Sequence, residues 1–231
     1  LELVEFIRKL RTLSGGKPVG FKLCIGHHWE FLAIVKAMLQ TGTAPDFIVV
    51  DGKEGGTGAA PLEFMDHIGT PLRDGLTFVH SSLIAAGLRD QIKLGASGKI
   101  TSAFDMARVM AIGADWCNAA RGFMFAVGCI QAQQCHNGSC PTGVATQDPL
   151  RQRAIDVPDK AERVASFQRE TVKALAELVD LRVTRRGYSG RAVAIELTYL
   201  DPAGLYRTRT LEDQYWIRHA LFPSFLYSSA V

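Results

Sequence analysis

No run of apolar residues in this 231-residue sequence approaches the ~18 to 20 needed to cross a bilayer. The most apolar stretch, GFMFAVGCI at 122–130, is broken by glycines, so a membrane is not an expected partner. A concentrated basic face is also missing: 26 Lys and Arg stand against 23 Asp and Glu, and both signs are spread along the chain. Nucleic acid, which calls for clustered positive charge, is therefore not expected either. The nearest basic cluster, RVTRRGYSGR at 182–191, reads as a solvated tail. There is no charged-then-apolar leader, so the expected setting is cytoplasmic rather than exported. Five cysteines, an odd number with three bunched together, do not make the disulfide framework of a secreted protein; bunching favours metal binding or catalysis. Leu1 stands where a methionine is usual, and LELVEFIRKLR opens directly into helical spacing, so the chain reads as a fragment whose N-terminal part is missing.

What is present is a globular composition, 47% apolar, with one domain as the default. Strand and helix patterns alternate. PVGFKLC (18–24) has strand character, and in HHWEFLAIVKAMLQ (27–40) the residues Phe31, Ile34, Val35, Met38 and Leu39 fall on one helical face. DFIVVD (46–51) is a second strand, followed by a glycine-rich loop and a helical stretch over about 74–90. QIKLGA (91–96) is a third strand, leading to TSAFDMARVMAIG, where Ser102 and Asp105 are spaced as a capping pair. ADWCNAA (114–120) is the fourth strand and RGFMFAVGCI begins the fourth helix. Four β-then-α units predict an α/β fold with parallel strands and right-handed crossovers. A sector of a (β/α)8 barrel and a small doubly wound sheet share this local pattern. Beyond the cysteines, Pro158 and Asp159 precede an amphipathic helix with Val164, Phe167, Thr171, Leu175 and Leu178 on one stripe. Past residue 182 the pattern dissolves, with IELTYL (195–200) a possible strand and LEDQYWIRHALF (211–222) a possible helix.

Each strand ends in small or polar residues, which is where a barrel keeps its active site. DGKEGGTGAAP (51–61) has four glycines in seven positions from Gly52, freedom that suits a cofactor lid; Gly55, Gly56 and Thr57 are its candidate contacts, against a plain tight connection. GASGKIT (95–101) and NAARG (118–122) each join a strand end to a helix start, so free backbone N–H groups and helix dipoles converge there. Ser97, Gly98, Lys99, Ala120 and Arg121 are thus candidate phosphate contacts, unless Lys99 and Arg121 merely cap surface helices. Lys22 alternates with Val19, Phe21 and Leu23, so it points away from the apolar set, an expensive direction for an ammonium unless an anion receives it. An exposed strand-end lysine is the plainer alternative.

Cys129, Cys135 and Cys140 are spaced C-x5-C-x4-C, wider than the paired hooks of structural zinc sites. His136 offers a fourth zinc ligand, three thiolates suit an iron–sulfur cluster lacking one iron, and three unligated core thiols are the third possibility. Cys24 and Cys117, inside strands, read as small buried residues.

VDGKEGGTGAAP, GASGKI and above all GCIQAQQCHNGSCPTGVATQDP closely resemble the flavin-binding synthase domain of glutamate synthase, and especially the FMN-binding glutamate synthase family proteins of bacteria. The resemblance covers about residues 17–180. It implies the C-terminal half of a (β/α)8 TIM barrel over 1–182, carrying the cysteine loop 129–147 and a C-terminal helix, with 183–231 unassigned. It further implies FMN and a [3Fe–4S] cluster, with Cys129, Cys135 and Cys140 as cluster ligands. Lys22 matches the lysine near the flavin ring, and the segments at Gly98–Lys99 and Ala120–Arg121 match those that hold the FMN phosphate. The implied activity is that of an oxidoreductase on CH–NH2 substrates: reduction of 2-iminoglutarate, made from 2-oxoglutarate and ammonia or another amine, to glutamate. Electrons are expected from an NADPH-linked or ferredoxin-like protein, and the N-terminal half of the barrel is a further expected partner. Two alternatives stand beside this expectation: an N-methylglutamate synthase-type subunit with another nitrogen donor, and a non-catalytic half barrel.

Overall fold

The computed structural model describes residues 1–55, 60–61, 63–186, 194–200 and 206–212. The chain divides into two units, Leu1–Glu170 and Thr171–Val231. In the first, α1 (Glu2–Leu13) precedes a regular alternation of β1 (Gly20–Cys24), α2 (His28–Thr41), β2 (Phe47–Asp51), α3 (Leu72–Ala85), β3 (Lys93–Ser97), α4 (Ala103–Ile112), β4 (Trp116–Asn118) and α5 (Ala120–Val127). A short 3-10 turn at Cys135–Asn137, α6 (Pro149–Gln152) and α7 (Val157–Arg186) follow, with the boundary between the units falling within α7 after Glu170. The second unit holds β5 (Ala194–Leu200) and β6 (Tyr206–Glu212), an antiparallel pair. The expected strand at 195–200 is therefore present, whereas Leu211 and Glu212, expected in a helix, belong to β6 because they pair across to β5. Residues 213–222 of that expected helix lie outside the described residues. No helix among the described residues is long and apolar enough to cross a membrane.

Strands β1 to β4 form one parallel sheet in chain order. A doubly wound sheet reverses strand order at a switch point, and this one does not. Consecutive helices also pack on each other, α2 on α3 and α3 on α4, so they share one face. Sequential parallel strands with helices on one side fit a sector of a (β/α)8 barrel.

Register explains which side chains meet. Facing the helices are Ile48, Val50, Leu94 and Ala96, all fully buried, with Phe21, Leu23 and Cys117 packed against that core. Each large apolar side chain buried this way contributes about 1.5–3 kcal/mol. On the opposite face Gly95 lets the Trp116 indole lie flat across the sheet, since a Cβ there would come within 2.5 Å of the ring, and Phe47 meets that indole edge-on at 5.9 Å. The uppermost row of this inner face is polar: Cys24, Asp51, Ser97 and Asn118 lie side by side.

The foot of the sheet is tied by Arg89, which is 9% exposed. It donates to the carbonyls of Ile92 and Gly113 and pairs with Asp115 at 2.8 Å, while Asp115 accepts the Leu94 N–H.

Three expectations need correction. Leu39 is 55% exposed, because the one-residue step from buried Met38 turns its side chain by ~100°, while Ala37 on the other side of Met38 is buried. Helix α3 stops at Ala85 rather than near 90, since Gly87 turns left-handed and Leu88 N–H bonds back to Leu83. Cys24 is exposed rather than buried: it lies at the end of β1 in the polar row of the inner face, away from the helices.

Candidate functional site

The upper inner edge of the sheet holds the first group of chemically active side chains. Lys22 points away from the core as its alternation requires, and its Nζ reaches up to Asp51 Oδ2 at 2.6 Å. Lys22 is half exposed, whereas Asp51 is 9% exposed and its Oδ1 has no hydrogen-bond partner among the described residues. A buried carboxylate oxygen without a donor is unusual and unfavourable. Gly55 closes over it: a Cβ at that position would run into Oδ1.

The glycine-rich loop is pinned at three successive residues. Gly52 N–H donates to Ser97, Lys53 N–H donates to Thr70, and the Glu54 carboxylate accepts the Leu72 N–H at 3.0 Å, capping α3 where its dipole favours an anion. Gly98, at φ +137, approaches Gly52 so closely that a Cβ would meet its nitrogen at 3.2 Å. Gly56 and Thr57 lie outside the described residues.

The two strand-to-helix loops treated as a pair differ at their helix starts. At α4 the predicted cap is present: Ser102 Oγ accepts the Asp105 N–H at 3.1 Å, and Asp105 Oδ2 accepts from the backbone of Thr101 and Ser102. Burial raises Asp105, but the Ser102 hydroxyl donating to its carboxylate, together with the amides of Thr101 and Ser102 and with Arg108 beside it, holds it below the usual carboxylate range. At α5 no side chain among the described residues caps the start, and Ala120 is exposed at its first turn. Lys99, with φ +47, grips both oxygens of Asp66 at 2.7 Å. Arg121 has no ion-pair partner among the described residues. Gly122 lets α7 seat against α5, with the Phe167 ring where a side chain would otherwise stand.

Beyond α5 the chain folds into a cleft of about 290 Å3 lined by Lys99, Arg121 and all three bunched cysteines. Residues 121, 124 and 125 line it together because they share one face of α5. Gly128, at φ +121, ends that helix and delivers Cys129; Gln131 and Gln133 are also left-handed, a rare state for residues with a Cβ. Cys135 opens the 3-10 turn, closed by Gly138 N–H to its carbonyl, and Arg151 of α6 braces the loop through the Ser139 carbonyl. Cys140 is buried, with its sulfur 3.5 Å from Thr142 Oγ1. Burial pushes its thiol up, but hydrogen bonds with the Thr142 hydroxyl and the amides of Ala145, Thr142 and Val144 outweigh this and bring it to about 7. Burial alone pushes Cys117 up to about 12, as suits a core thiol. His136 is exposed and outside the cleft. Among the described residues no three His, Cys, Asp or Glu side chains converge tightly enough for one metal ion.

The expected residues thus fall into two groups. Lys99, Arg121, Cys129, Cys135 and Cys140 share the cleft; Lys22, Gly55, Ser97 and Gly98 belong to the strand-end edge, and Ala120 starts α5. Sequence reading places Asp51 at a strand end without pairing it with Lys22, and misses Asp66 and Thr142. For Thr142 a signal existed, a hydroxyl two residues after a cysteine, which is spaced for a local bond.

The family model described as the conserved region in glutamate synthase matches residues 1–184. The glutamate synthase large subunit-like protein YerD of Bacillus subtilis (strain 168) is 47% identical over 166 residues, covering 72% of this chain and 31% of that protein. The archaeal glutamate synthase (NADPH) of Methanocaldococcus jannaschii is 35% identical over 179 residues, 77% of this chain and 34% of that protein. The ferredoxin-dependent glutamate synthase 1 of Arabidopsis thaliana is 38% identical over 175 residues, 75% of this chain and 10% of that protein. The chain therefore spans about a third of the length of the two prokaryotic relatives and a tenth of the plant protein. A match across most of its length, joined to the parallel sheet and the cysteine cleft, makes this chain a member of the glutamate synthase family.

Proposed function

We propose that the chain forms part of a cytoplasmic glutamate synthase-like oxidoreductase that binds FMN at the upper edge of the sheet and an iron–sulfur cluster, [3Fe–4S], in the cysteine cleft. Its substrates are 2-oxoglutarate with ammonia or another amine, joined as 2-iminoglutarate and reduced to glutamate. An NADPH-linked or ferredoxin-like protein delivers the electrons. The observation that carries this reading is the cleft itself, where three cysteines and two cationic side chains line one space at the end of α5. Three cysteines with no histidine among the residues lining the cleft suit an iron–sulfur cluster lacking one iron better than a zinc ion, which calls for a fourth ligand. The position of His136 outside the cleft argues the same way.

The residues fit both groups. Asp51 Oδ1 is a buried acceptor without a donor among the described residues, as a site that takes a ligand would leave it, and the start of α5 leaves the amides of Ala120 and Arg121 for a phosphate, beside Ser97 and Gly98. FMN supplies hydride transfer and the cluster one-electron transfer when bound. Lys22, aimed by Asp51, places positive charge at the strand ends, where an electron-rich ring or a substrate carboxylate is stabilised. Cys129, Cys135 and Cys140 serve as thiolate ligands, and Thr142 with the amides of 142, 144 and 145 holds Cys140 ready to ligate.

Anaerobic purification followed by absorption and electron paramagnetic resonance spectroscopy tests the reading. The expected result is a flavin band near ~450 nm with broad iron–sulfur absorbance, and loss of the iron–sulfur signal alone in Cys135→Ser. A full cluster in that variant would overturn the ligand assignment. Turnover of 2-oxoglutarate with ammonia compared with methylamine identifies the nitrogen donor.

A further inference from the structure

We infer that the Arg121 side chain is the counter-charge of the cysteine cleft, setting the potential of the group held there, and is not a hook for the flavin phosphate. The inference rests on the reading that the cleft holds an iron–sulfur cluster. Its basis is the placement of the two cations the sequence pairs together. Both line the cleft, but Lys99 is already neutralised, bound through Nζ to both oxygens of Asp66 at 2.7 Å. Arg121 has no carboxylate partner among the described residues. It is half-buried, on the face of α5 that carries Met124 and Phe125 into the cleft, and that face leads directly to Cys129. Backbone and side chain of residue 121 therefore do different work: its amide belongs to the helix start, whereas its side chain lies on the face of α5 that lines the space of the thiols.

Three thiolates grouped in a partly closed space repel one another, and an iron–sulfur core with three of them is anionic. A guanidinium stays charged under all working conditions and is weakly hydrated, so it suits a half-buried counter-charge better than an ammonium. Positive charge beside such a cluster favours its reduced, more negative state and raises its potential, because net charge and surroundings are the terms that set it.

The test compares the wild-type protein with Arg121→Gln and Arg121→Lys, using redox titration followed by electron paramagnetic resonance, FMN titration by fluorescence quenching, and circular dichroism. The expected result is a lower cluster midpoint in R121Q, largely restored in R121K, with FMN affinity within about twofold of wild type in both. Loss of the cluster in R121Q but not in R121K, with native circular dichroism, supports the same role. Loss in both variants overturns it, since shape rather than charge would then be what the cleft needs. An unmoved midpoint with FMN affinity down about tenfold or more in R121Q also overturns it and makes Arg121 a phosphate hook. A wild-type protein with no cluster signal removes the proposed function itself, a result distinct from a wild-type cluster indifferent to Arg121.

Discussion

The β3–α4 and β4–α5 connections have the same local design, a parallel strand ending in small residues and a helix starting at once. They nevertheless offer opposite electrostatics to a ligand. The start of α4 carries an acid of its own chain, with Ser102 accepting the Asp105 N–H and the Asp105 carboxylate bonded to the amides of Thr101 and Ser102 just before the helix. The start of α5 has no such cap and begins with exposed Ala120. Their cations divide in the same way, Lys99 held by Asp66 and Arg121 lining the thiol cleft. A strand–loop–helix motif therefore marks where an anion site can exist, and the capping residues decide whether it does.

The largest expected effect comes from damage to what both connections share. Arg89 ties the feet of β3 and β4 through two carbonyls and Asp115. Arg89→Ala leaves those groups without their donor and is expected to destabilise the first unit by about 3 kcal/mol, seen as a lower midpoint in denaturant unfolding. Both connections should loosen together; a variant with unchanged stability would show that the loops do not depend on that foot.

Placing an acid where α5 has none sharpens the contrast. In Ala120→Asp, the carboxylate sits at an exposed first-turn position, where the helix itself gains about 0.3–1 kcal/mol. FMN affinity is expected to fall about tenfold, or ~1.4 kcal/mol, as the acid takes the place of phosphate. Unchanged affinity with unchanged folding would move the phosphate site away from α5.

The reverse change, at α4, is expected to affect stability only. Ser102→Ala removes the cap and lowers stability by about 1 kcal/mol with FMN affinity intact. Asp105 adds a pH signature. Because its folded-state value lies below its unfolded one, its contribution is fully present above the unfolded value, about pH 4, and is lost as pH falls through the folded value. Asp105→Asn should therefore flatten part of the acid limb of the stability profile while leaving the neutral region lower throughout. An acid limb identical to wild type would show that Asp105 is not held as the structure places it.

What could be read from sequence follows from whether the determining contact is local. The Ser102–Asp105 cap was legible because its partners are three residues apart, and the four β–α units because their periodicities change within each segment. The bunching of Cys129, Cys135 and Cys140 was equally plain, although their sharing of a cleft with Arg121 depends on how α5 is turned. Contacts between distant segments were not legible. Asp66 reaches Lys99 across 33 positions, through left-handed backbone at both residues. Asp51 meets Lys22 only because β1 and β2 pair in one particular register. The exposure of Cys24 likewise depends on how the sheet places the end of β1, which no local pattern encodes.

The smallest effect is expected at the Lys99–Asp66 pair, and it bears on the same contrast. Both side chains are more than a third exposed, so the pair contributes at most about 1 kcal/mol and less in high salt. Asp66→Asn should leave stability almost unchanged. It would, however, leave Lys99 unpaired in the cleft, adding a second uncompensated cation beside the thiols. On the reading that positive charge there raises the cluster potential, D66N should move the midpoint upward, opposite to R121Q and by less, because an exposed ammonium is better screened. Measuring both variants in one redox titration tests the contrast directly. Opposite shifts would show that the cleft responds to its local balance of charge, whereas a midpoint indifferent to D66N would place Lys99 too far from the thiols to count and leave Arg121 as the cation that matters.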